Sequence, residues 1–65
     1  MSPRLSKLEE MGLLVNVLLD TAEAREAIAE DSGQSDHARI LAAGKAIAYR
    51  QAAADIDSIL RGVSP

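Results

Sequence analysis

The chain has 65 residues, a formal net charge of −3 and no cysteine. It is at most one small domain, and neither a disulfide nor a cysteine-based zinc site can hold it together. A single core of this size supplies only ~3–5 kcal/mol, and small cores without cross-links often lean on oligomerisation.

The first predicted element is a helix over about residues 3–31. Ser2-Pro3 is a suitable opening, because Ser caps well and Pro at the first helical position lacks an N–H that would be unpaired anyway. Ser6 with Glu9 is an alternative capping box. Leu8, Met11, Val15, Leu18 and Ala22 recur at helical spacing, and Leu14, Val17, Thr21, Ala24 and Ile28 form a second series. At about 100° per residue the two series lie on different sides. A lone hairpin buries only one of them, so the other asks for a partner.

Asp31-Ser32-Gly33-Gln34-Ser35-Asp36 is the one clear break. Gly33 is expected to end the helix in the left-handed conformation, with a loop over 32–35 and Ser35 or Asp36 capping the next helix. That helix spans about 36–61 and stops near Gly62, leaving Val63-Ser64-Pro65 as a tail. At ~1.5 Å per residue both helices are roughly 40 Å long. The short connection makes them antiparallel. Folding at Gly33 pairs Leu8 with Ile59 and Leu60, Met11 with Ile56, Val15 with Ala52 and Ala53, and Leu18 with Tyr49. The expected inner side of helix 2 holds Leu41, Ala48, Tyr49, Ala52, Ala53, Ile56, Ile59 and Leu60. Ile40, Ala43 and Ile47 fall on roughly the opposite side. The expected fold is an all-α, antiparallel two-helix hairpin, one domain over 1–65, dimerising into a four-helix bundle. Leu14, Val17, Ala24, Ile28, Ile40, Ala43, Gly44 and Ile47 are the expected interface.

Charge is uneven. Residues 20–36 carry six carboxylates against Arg25 alone, while 37–65 are mildly basic. An acidic hairpin tip opposes broad phosphate contact there. The most apolar stretch, Leu13 to Leu19, falls far short of the ~18 residues of a spanning helix, and Asn16 interrupts it. No targeting pattern is visible, so a cytoplasmic location and no membrane contact are the default expectations.

No cluster points to chemistry. His37 has Ser35 and Asp36 beside it, but that stretch reads as a capping loop. Glu23, Glu26 and Glu30 share a side of helix 1, yet the Glu-x-x-His motif of a di-metal bundle is absent. Catalytic residues, cofactors and metal ligands are therefore expected to be none. Arg39, Arg50 and Arg61, eleven residues apart, share a side of helix 2 and could face RNA. Pairing with Glu or Asp is the preferred reading of them. Gly44 costs roughly 1 kcal/mol against Ala inside a helix, and it lies four residues before Ala48, as Ala42 does before Ala46. A close helix crossing is the expectation weighed against a tolerated surface glycine.

The segment Ala42-Ala43-Gly44-Lys45-Ala46-Ile47-Ala48-Tyr49-Arg50-Gln51-Ala52, continued by Ile56 and Leu60, resembles the second helix of small phage-encoded helical hairpins. In length and topology the chain is also similar to plasmid RNA-binding hairpin dimers, whose RNA-contact residues match none here. The reading is a non-enzymatic protein–protein interaction module, a small regulator, adaptor or assembly subunit. Its partner is a second copy, another protein, or both. The alternative is a nucleic-acid-binding bundle using Arg39, Arg50 and Arg61.

Overall fold

The computed structural model describes residues 6–62. Ser6 caps the first helix. Its backbone is extended, at φ −67° and ψ 162°, and its Oγ accepts the Glu9 amide hydrogen at 3.1 Å. The same hydroxyl donates to Glu9 Oε1 at 3.2 Å. One amide without a helical partner is thus satisfied, and Glu9 and Glu10 put negative charge at the positive end of the helix dipole. Helix α1 accordingly runs Lys7–Glu30. The opening expected at Ser2-Pro3 lies outside the described residues, as does the tail at Val63-Ser64-Pro65. Ser6 with Glu9, the alternative opening offered by the sequence, caps α1.

Asp31 ends α1 by leaving helical geometry at φ −79° and ψ 107°. Its Oδ1 accepts from the Gly33 amide at 2.9 Å, and its carbonyl accepts from the Gln34 amide at 3.1 Å. This Asx turn reverses the chain without a left-handed residue. The expectation for Gly33 is corrected here, since no glycine has positive φ among the described residues. Ser35 Oγ then accepts the Ala38 amide hydrogen at 3.1 Å and caps helix α2, Asp36–Gly62.

The two helices pack against each other along an alanine-rich seam. Among the described residues the buried ones are Ala22 of α1 and Ala42, Ala46 and Ala53 of α2. Half-buried Tyr49, Ile56 and Leu60 complete a 4-3-4-3-4 series on α2. On α1 Met11, Val15, Leu18, Ala22, Arg25 and Ala29 form the matching series. That alternation keeps one seam facing a neighbouring helix, and small side chains on it let the axes approach. Helix α2 is therefore turned from its expected orientation. Leu41, Ala48 and Ile59 stay exposed, while Ala42 and Ala46 take the inner positions.

The result is a single layer. Its extents are 45 × 30 × 11 Å and its radius of gyration is 15.2 Å, against about 11 Å for a compact domain of this length. Stable domains are usually built from two or more packed layers. Here both broad faces meet solvent.

Candidate interaction surface

The inner seam defines two flanks. A step of one residue along a helix is a turn of about 100°. One residue back from the inner series of α1 lie Glu10, Leu14, Val17, Thr21, Ala24 and Ile28. One residue back on α2 lie Leu41, Lys45, Ala48, Ala52, Asp55 and Ile59. In antiparallel helices the same step leads to the same face. Accordingly Arg25 and Ile28 of α1 line one groove with Ala38, Leu41 and Lys45 of α2. Along this face Leu14 is 46% exposed, Val17 58%, Leu41 51% and Ile59 57%. Thr21, the polar residue between them, turns its hydroxyl back on Val17 O at 2.8 Å, so it offers mainly its methyl group.

The opposite flank is charged. One residue forward from the inner series stand Glu23, Glu26 and Glu30 of α1, and Arg50, Asp57 and Arg61 of α2. Arg50 grips Glu26 with two bonds, Nε to Oε2 at 2.8 Å and Nη2 to Oε1 at 2.5 Å. The Arg50 hydrogen bond holds the Glu26 carboxyl below its ordinary pKa, and Glu26 raises that of Arg50 in return. Arg61 pairs with Asp57 at 2.9 Å. Arg39 Nε donates to Ala29 O at 2.9 Å. That carbonyl belongs to the last turn of α1, which has no basic residue of its own. Arg39 therefore supplies from α2 the cation that the negative helix end favours.

The expected interface residues divide between these faces. Leu14, Val17, Ala24 and Ile28 share the apolar flank. Ile40 and Ala43 line the groove on the other side with Ala29, Asp36 and Arg39. Ile47 lies beside Arg50 on that side and is 71% exposed, while Ile40 is 73% exposed. Gly44 is exposed on the outer side, and a Cβ built there meets nothing within 4 Å. No close crossing is made at Gly44 within the hairpin; Ala42 and Ala46 occupy the crossing. Arg39, Arg50 and Arg61 do share one side of α2, but each is engaged within the chain.

Sequence reasoning placed Leu41, Ala48 and Ile59 inside and so missed their part in the apolar flank. The signal available was their spacing with Lys45, Ala52 and Asp55, which repeats the inner series one residue earlier. Among the described residues no helix is long and apolar enough to cross a membrane. Comparison with protein-family models, curated proteins and solved structures found no match.

Proposed function

We propose that the chain is a non-enzymatic protein–protein interaction module, a small regulator, adaptor or assembly subunit, that dimerises into a four-helix bundle. One observation carries this reading. Among the described residues the hairpin buries four alanines, while large aliphatic side chains along both helices remain about half or more exposed. Transfer of a Leu, Ile or Val from water gains roughly 1.5–3 kcal/mol, far more than an alanine methyl provides. A partner layer would convert the exposed side chains into core. The arginine side of α2 gives the nucleic-acid alternative no comparable support, because its guanidinium groups already bond within the chain.

Sedimentation equilibrium from about 1 to 100 µM, within the usual range for stable association, tests the reading. The expected mass is twice the 6.9 kDa of one chain. Melting followed by circular dichroism should move to higher temperature as concentration rises. A monomer with cooperative, concentration-independent melting would overturn it.

A further inference from the structure

We propose that the apolar flank is covered by a second copy of this chain, laid antiparallel about a two-fold axis that passes between Ala48 and Ala52 of α2. The proposal rests on the dimer reading above and adds to it the face, the direction and the register.

The flank series of α2 is self-complementary. Its residues are Leu41, Lys45, Ala48, Ala52, Asp55 and Ile59, spaced 4-3-4-3-4. That spacing reads the same in both directions, so a copy running the opposite way meets every position. Leu41 then faces Ile59 of the other copy. Lys45 faces Asp55, and Ala48 faces Ala52. Large aliphatic groups meet at the ends, opposite charges meet inside them, and small residues meet at the axis. By two-fold symmetry each contact occurs twice.

The charges favour this direction over the other. Were the two copies stacked with their loops at the same end, α2 would lie over α1 of the other copy. Lys45 and Asp55 would then lie over the uncharged stretch Leu14, Val17, Thr21, Ala24 and Ile28, with no carboxylate opposite Lys45 and no cation opposite Asp55. Both would be desolvated without a counter-charge, which is costly. In the antiparallel register they compensate each other. Lys45 is exposed and belongs to neither ion pair among the described residues. Asp55 is exposed and accepts one hydrogen bond, from Gln51 Nε2 at 2.9 Å. On α1 the one charged member of the series, Glu10, sits at the open end, where it reaches solvent.

The size is also sufficient. A helix of 24 residues rises about 36 Å, and two helices with axes 8–10 Å apart make a face roughly 20 Å wide. The product, about 700 Å² per copy, is close to the ~800 Å² per partner of a standard stable interface.

Two charge reversals test the register. Lys45→Glu places two carboxylates together at each contact, and Asp55→Lys places two ammonium groups together. Each variant alone should dimerise about tenfold more weakly or worse than the wild type, by sedimentation equilibrium. Mixed in equal amounts, with one variant labelled with ¹⁵N, they should form heterodimers well above the half expected by chance, because both contacts become Lys against acid. Native mass spectrometry reads the ratio. Ile47→Glu, on the opposite flank, should leave the dimer unchanged. A wild-type dimer whose two variants mix at random overturns the register and direction while the dimer reading stands. Loss of the dimer in Ile47→Glu alone overturns the choice of face. A wild-type chain that stays monomeric overturns both readings.

Discussion

The two flanks of this hairpin lie one residue to either side of the same inner seam, yet their chemistry is opposed. The forward step brings Glu23, Glu26 and Glu30 beside Arg50, Asp57 and Arg61, and ion pairs close that flank within the chain. The backward step brings Leu14, Val17, Ala24 and the half-buried Ile28 beside Leu41, Ala48 and Ile59, most of which one chain leaves exposed. Exposed ion pairs are satisfied in water and gain little from burial. Aliphatic groups gain about 25 cal/mol for each Å² removed from water. On the charged flank Ile40 and Ile47 are exposed as well, at 73% and 71%, but they stand among ion pairs already closed within the chain, whereas the other flank offers a continuous aliphatic surface to a partner.

The largest expected effect comes from placing a charge in the middle of the apolar flank. Val17→Glu should raise the dimer dissociation constant at least 100-fold, since a carboxylate there would be buried without a counter-charge. It should also remove the concentration dependence of melting. Ile47→Glu makes the same chemical change at a site of similar exposure on the charged flank, so it should do neither. Equal effects of the two substitutions would erase the distinction between the flanks.

Next come changes that separate the seam from the outer surface. Ala46 is 3% exposed. Ala46→Leu should destabilise the hairpin by about 1–3 kcal/mol through overpacking. Gly44, two residues earlier, has open space where a Cβ would stand. Gly44→Ala should therefore stabilise the helix, by roughly 1 kcal/mol from propensity. Thermal melts at fixed concentration check both. If Gly44→Ala lowers the melting temperature, a neighbour in the oligomer occupies that space.

The break between the helices and the alternative cap at Ser6 were legible because each rests on a local signal, whereas the Asx turn that replaces a left-handed Gly33 was not. Ser6 and Glu9 stand three apart, and the polar run from Asp31 to Asp36 contains both the turn and the second cap. The seam of α1 was legible too, as Met11, Val15, Leu18 and Ala22 recur at helical spacing. The rotation of α2 was not. Alanine stands at 42, 43, 46, 48, 52, 53 and 54, and a small apolar residue is tolerated inside or outside a helix pair. Size contrast then drew the inner side toward Leu41 and Ile59. What fixes the rotation is the close fit of Ala42 and Ala46, together with the reach of Arg39 to Ala29 and of Arg50 to Glu26. Those are contacts between helices that spacing along one helix does not reveal. That the expected interface residues fall on two sides of the hairpin was legible from spacing alone, since Ile40, Ala43 and Ile47 stand opposite the inner side of α2.

The smallest expected effect lies on the charged flank and depends on pH. Arg50 lowers the pKa of Glu26 in the folded chain. The folded state therefore binds its proton less readily than the unfolded state does. The resulting stabilisation is fully present above the ordinary glutamate pKa of about 4.3. It is lost as pH falls through the lower folded value. Glu26→Gln removes this contribution at neutral pH, so the variant should melt slightly below the wild type at pH 7. The gap should close as the pH is lowered past the folded pKa of Glu26, because the wild type then loses the same charge. Both side chains of the pair are well exposed, at 47% for Arg50 and 39% for Glu26, so solvent screening keeps the gap small and added salt should narrow it further. The sedimentation mass at pH 7 should not change, since the pair lies away from the apolar flank. A Glu26→Gln variant that dissociates at neutral pH would show that the charged flank also takes part in association, and the assignment of that flank to solvent would fail.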